Sequence, residues 1–141
     1  MKIYSIRFEG YWLERNKGDV PAKSGVYLVY RGQYNKEKNI VELNEIIYIG
    51  QSVNMRERIV NHDHLQAFNA TLNTGETLCY SCAAVDEEDL DIVENALIIA
   101  QKPRLNETIR NDIDYSEKRF QVNGRCSLLK YTDFTITSNA N

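Results

Sequence analysis

Basic charge is scarce in this chain. Its 17 Lys and Arg are outnumbered by 20 Asp and Glu, leaving a net charge of −3 over 141 residues. That argues against a basic coat of the kind that grips long nucleic acid through its phosphates. Three cysteines, an odd number, argue against a disulfide framework and fit a reducing compartment. No apolar run approaches the roughly 20 residues a membrane helix needs. Met1-Lys2-Ile3-Tyr4 carries none of the apolar core of a secretory leader. No membrane association is expected, and a cytoplasmic location is. With 43% hydrophobic and 26% charged residues, the composition predicts a soluble single domain over 1–141, able to bury a core without staples.

Apolar alternation at Tyr4, Ile6 and Phe8 predicts a first strand, and polar Glu14 to Ser24, with Gly18 and Pro21, predicts a loop. Gly25 to Arg31 and Glu45 to Gly50 are β-branched and aromatic, and predict an antiparallel hairpin across a polar turn. Ser52 suits the N-cap of a helix from about Val53 to Asn61 with Met55 and Ile59 inward, which puts Arg58 and His62 one turn apart. His64 falls off that face, and Arg56 points elsewhere as a surface charge.

Ala70 to Glu76 predicts a loop and Thr77 to Val85 a strand, in which Cys79 and Cys82 point to opposite faces as core thiols. Asp86 then caps a helix with Leu90, Val93, Leu97 and Ile98 inward, stopped before Pro103. The acidic run Asp86-Glu87-Glu88-Asp89-Leu90-Asp91 suits that helix's N-terminal dipole. Glu94 sits mid-helix beside the apolar stripe, an expensive place for a carboxylate without a partner. Beyond Asn111, Asn123-Gly124 predicts a type I′ hairpin between Arg119–Val122 and Arg125–Leu128, with a further strand from Lys130 to Thr137 before a disordered end.

Gly25-Val26-Tyr27 and Tyr48-Ile49-Gly50, followed in order by Arg58, His62, Glu94 and Asn106, resemble the GIY-YIG nuclease family. The resemblance covers about Lys23 to Asn106. It implies an α+β fold, a small central antiparallel sheet flanked by helices, with a core at about 23–110 and a C-terminal β-hairpin extension at about 111–141. It also implies a divalent-metal-dependent endonuclease hydrolysing DNA phosphodiesters by in-line attack of water, with Mg2+, or Mn2+ in its place, as cofactor. Two departures stand out: a longer segment between Tyr27 and Tyr48, and Gln51 where several relatives carry lysine.

Phosphodiester hydrolysis needs an activated water and stabilisation of charge on the phosphate and leaving oxygens. By the resemblance Tyr27 is the general base and Tyr48 orients water or phosphate. A phenolate at neutral pH needs nearby positive charge. Arg58 suits a bidentate grip on phosphate, which lysine cannot match. His62 suits a proton relay with Tyr27 or a phosphate hydrogen bond. One carboxylate, Glu94, suffices as metal anchor. Gly50, Gln51 and Asn106 are the expected substrate-side positions; by the resemblance Asn106 braces the pocket or a phosphate by hydrogen bonds, and an Asx-turn after a helix is its competing reading. The alternative for the whole chain is a catalytically weak or inactive GIY-YIG-fold nucleic-acid-binding module that acts with a partner protein. A third reading is a protein-interaction domain.

Overall fold

The computed structural model describes residues 1–137. The disordered end expected after Thr137 lies outside the described residues. Strands β1 (Lys2–Leu13), β2 (Gly25–Asn35), β3 (Ile40–Ser52), β4 (Thr77–Ala84), β5 (Lys118–Gly124) and β6 (Asp133–Thr135) form one sheet in the order β3-β2-β4-β1-β5-β6. Helices α1 (Met55–Val60), α2 (Leu65–Ala70) and α3 (Leu90–Gln101) complete an α+β architecture, with short 3-10 helices at Glu14–Asp19 and Glu87–Asp89.

Two cores lie on the two sides of the sheet, because side chains alternate along the strands, interrupted by bulges in the β2–β3 and β1–β4 pairs. On β2, Val26, Leu28 and Tyr30 join Leu90, Val93, Leu97 and Ile98 of α3, whereas Tyr27 and Val29 join Met55 and Ile59 of α1 and Phe68 of α2. Cys79 and Cys82 divide in the same way, one in each core. Burial raises their thiols to about 11 and about 12, so both stay protonated. No helix among the described residues is long and apolar enough to cross a membrane.

The sheet is mixed, which corrects the expected antiparallel sheet. β5 runs parallel to β1, pairing Tyr4 with Phe120 and Ile6 with Val122. The Tyr4 and Phe120 rings stack 5.1 Å apart, and this shared apolar face decides the strand's place. The hairpin expected at Asn123-Gly124 is absent for the same reason. Gly124, at φ +92°, ends β5 against β1, where a Cβ would collide with the Phe8 backbone. The chain then leaves the sheet, with Arg125 N–H donating to the Phe8 carbonyl at 2.8 Å. β5 finds its antiparallel partner in β6 instead.

Other boundaries moved for local reasons. The polar stretch between the two tyrosine motifs extends the arms of the β2–β3 hairpin to 11 and 13 residues, past the end of β4 pairing at Gly32↔Thr77. Asn54, not Ser52, caps α1: its side chain accepts from Glu57 N–H at 3.2 Å while Ser52 closes β3. Asp86 precedes the 3-10 turn without a side-chain capping bond. α3 stops as expected, with Lys102 in the left-handed region immediately before Pro103.

Gly25 starts β2 at a point where backbones and a helix converge. A Cβ there would overlap the Ala83 carbonyl and lie 2.8 Å from Met55 Sδ. Gly25→Ala is therefore expected to lower stability by about 2–3 kcal/mol through overpacking, read as a lower urea midpoint at unchanged slope. An unchanged midpoint would show that β4 can give way there.

Candidate active site

The motif glycine Gly50 and the motif tyrosine Tyr27 are directly paired across β2 and β3. A Cβ on Gly50 would overlap the Tyr27 ring and hydroxyl, so only glycine leaves the phenol room to lie flat over β3. Tyr48, two pairs further along, stands on the same face with its ring centroid 6.4 Å from that of Tyr27. Tyr27 is only 1% exposed, and Tyr48 is half-buried.

His62 lies just past the end of α1 and is buried beside both tyrosines, with ring centroids at 5.8 and 5.6 Å. Its Nδ1 accepts the backbone N–H of His64 at 3.0 Å. A neutral imidazole that accepts at Nδ1 carries its proton on Nε2. Nε2–H therefore donates to the Tyr27 oxygen, 2.7 Å away. Burial first, and then the Arg58 guanidinium, lowers the His62 pKa to about 4. The ring is neutral at physiological pH and has no vacant nitrogen to take a proton from Tyr27.

Tyr27 is pushed above the ordinary phenol range by burial, with Tyr48 adding to the rise and Arg58 opposing it. Tyr48 is raised by burial and by the Glu94 charge, and again Arg58 opposes. Arg58 is 36% exposed and pairs with Asp63 at 2.9 Å, so its fork reaches both the phenols and solvent.

A cleft of about 440 Å³ opens at the β3 edge, lined by Tyr48, His64 and Phe68 on one side and Glu94, Ile98 and Asn106 on the other. α2 and α3, from opposite faces of the sheet, meet there. Tyr27 and His62 are not part of the lining; they are buried next to Tyr48. Glu94 is half-buried, and desolvation raises its pKa against the opposing Gln51 hydrogen bond. The Gln51 amide nitrogen donates to Glu94 at 3.3 Å and to Asp91 at 2.6 Å. A hard carboxylate open to a cleft, with an N–H donor already drawn between it and a second carboxylate, fits a Mg2+ or Mn2+ ion that keeps several waters. Among the described residues, Asp86, Glu88 and Asp89 form an acidic group at the start of α3, apart from this cleft.

Asn106 spends its amide on the chain itself: its oxygen accepts from Ile49 N–H at 2.9 Å and its NH2 donates to the Ile49 carbonyl at 2.8 Å. It caps the open edge of β3 between Tyr48 and Gly50. The structure also brings in His64, which the helical phase had put elsewhere. α1 ends at Val60, so the phase is lost, and the next turn carries the His64 ring to 5.7 Å from Tyr48. The six-residue α2 that follows was too short to leave a periodic signal.

Over 109 residues the chain is 30% identical to excinuclease cho of Escherichia coli (strain K12) and, equally, to excinuclease cho of Shigella flexneri. The alignment covers 74% of this chain and 34% of each of those proteins. The chain thus spans about a third of the length of the curated relatives it matches. No family model matches the sequence, and no solved structure matches it.

The depressed His62 pKa has a consequence for stability. The unfolded chain protonates this histidine near its ordinary 6.5 and the folded chain only near 4. Its contribution is complete above pH 6.5 and is lost as pH falls toward 4, because the unfolded state then binds the extra proton. Between pH 7 and pH 4.5 the parent protein should lose about 2–3 kcal/mol more than His62→Gln, measured by urea unfolding at both pH values. Equal losses would mean that His62 titrates normally.

Proposed function

We propose that this chain is a GIY-YIG-type endonuclease domain, hydrolysing DNA phosphodiesters with Mg2+ or Mn2+ by attack of water. The observation that carries the reading is spatial. Tyr48 and Glu94 line one cleft, and the Tyr27–His62 pair is buried against Tyr48, with the partly exposed Arg58 beside it. The likeness to the excinucleases supports the DNA substrate, and the remaining length of those proteins leaves room for partners or further domains. Core packing alone has no need of an arginine, a histidine and a carboxylate drawn to one strand edge.

Arg58 is placed to exchange Asp63 for the scissile phosphate, a bidentate partner of the same geometry. Tyr27 is proposed as general base. In the free protein it holds its proton, and its oxygen receives the His62 Nε2–H, with Arg58 close by. These two donors favour the phenolate once the proton is gone. Tyr48, half-buried in the cleft wall, orients the attacking water. Glu94 would hold the ion, with Gln51 fixing its carboxylate, and Asn106 keeps β3 straight beneath the tyrosines. When bound, the ion supplies Lewis-acid stabilisation of charge on the phosphate oxygens.

The test is incubation of the purified protein with supercoiled plasmid, with and without Mg2+. Nicking that requires the metal is expected, and Glu94→Gln should abolish it in a folded protein. Tyr27→Phe should cut about 10² to 10⁴ times more slowly under single-turnover conditions, with DNA affinity unchanged. Arg58→Ala should lose rate and affinity together. Full speed in Tyr27→Phe would move the base role to Tyr48 or to metal-bound water.

One observation favours the binding-module alternative. Arg104, Arg110 and Arg119 are all committed to carboxylates, which leaves little unpaired arginine to hold DNA. Binding without cutting in Mg2+ would establish that reading.

A further inference from the structure

We infer that His64 is a second acid–base group of this cleft, the donor that protonates the departing sugar oxygen; the inference rests on the nuclease reading above. Breaking a phosphodiester leaves an alkoxide, and something must neutralise it. His62 cannot, because both of its ring nitrogens are engaged, Nδ1 by His64 N–H and Nε2 with Tyr27. Tyr48 is a weak donor, since burial holds its phenol above the ordinary range. His64 is exposed, and among the described residues no hydrogen bond engages its ring nitrogens. Its ring lies 5.7 Å from Tyr48 and 5.4 Å from His62, in the wall of the cleft that holds Glu94.

The residue is positioned from its own backbone. His64 N–H holds His62 Nδ1, and the His64 carbonyl accepts Phe68 N–H at 3.0 Å in the first turn of α2. The side chain is thus left over for chemistry. The charged and titratable groups facing it are Tyr48 from β3, His62 and Asp63 from its own turn, and Glu94 and Glu107 across the cleft.

In the step, which begins once the Tyr27 phenol has given up its proton to hydroxide from solvent, the oxygen of the attacking water bonds to phosphorus and one of its protons passes to the Tyr27 phenolate. The bond from phosphorus to the sugar oxygen breaks with its electron pair on that oxygen, which takes the proton from His64. The ring is left neutral and regains a proton from solvent.

The experiment compares two leaving groups in Mn2+: plasmid DNA, whose alkoxide needs a proton, and bis(4-nitrophenyl) phosphate, whose nitrophenolate leaves without one. His64→Gln keeps the backbone N–H that fixes His62, and the site is exposed, so folding is unaffected. Plasmid cleavage should fall about 10² to 10⁴-fold, while nitrophenyl release stays within about threefold of the parent. Equal losses on both substrates, or no loss on either, overturn the assignment. If the parent cuts plasmid but leaves the nitrophenyl ester untouched, His64→Ala with added imidazole decides: recovery of plasmid cutting supports the assignment and no recovery overturns it. A parent protein inert toward both substrates overturns the nuclease reading itself, and the inference with it.

Discussion

The geometry around the cleft depends on a phenol lying across a strand at a position with no side chain. Tyr27 packs over Gly50 in the neighbouring strand, and its oxygen is then fixed by His62 Nε2. Any larger residue at Gly50 would lift the ring, separate the hydroxyl from His62 and push Tyr27 away from Arg58. The His62 orientation depends in turn on one backbone N–H, that of His64. A short chain of contacts from β3 through β2 to the turn after α1 therefore sets the tautomer, the protonation state and the spacing of three side chains.

That arrangement changes what each group is able to do. His62 is a fixed donor to Tyr27 and not a relay, since its Nδ1 lone pair is occupied and its pKa is low. Tyr27 is more basic than a free phenol once ionised and harder to ionise, because burial outweighs the nearby arginine. Arg58 is held in reserve by Asp63. Glu94 and Tyr48 line the same cleft, at the edge where helices from opposite sides of the sheet meet. Such an edge cleft admits a flat, charged backbone from solvent, with Tyr48 in its wall and Tyr27 buried behind it.

The parts of this architecture written in local patterns were legible in the sequence. Alternation in Tyr4–Phe8, the two tyrosine motifs, and the apolar stripe of α3 each predicted the right element, because burial on a defined face is a short-range signal. The parallel pairing of β5 with β1 was not legible, since it depends on Phe120 and Val122 finding Tyr4 and Ile6 across more than a hundred residues. Asn123-Gly124 misled for the same reason: a strong turn signal yielded to a tertiary contact with Phe8. In the site, the order of motif residues gave the Tyr27, Tyr48, Arg58 and His62 cluster. His64 escaped because its position follows from where α1 stops; the resemblance implies a bracing Asn106, but not that it braces the Ile49 backbone, which depends on how the loop after α3 returns to β3.

The central claim is that His62 is a neutral, Nε2-protonated donor to Tyr27. With only two histidines in the chain, 15N NMR of the imidazole nitrogens, assigned with His64→Gln, tests it directly. The account predicts that at pH 6 His62 shows one protonated nitrogen, Nε2, and an unprotonated Nδ1, unchanged down to about pH 5, with the Nε2 signal shifting in Tyr27→Phe. A His62 ring that titrates near 6.5, or that carries its proton on Nδ1, would contradict it.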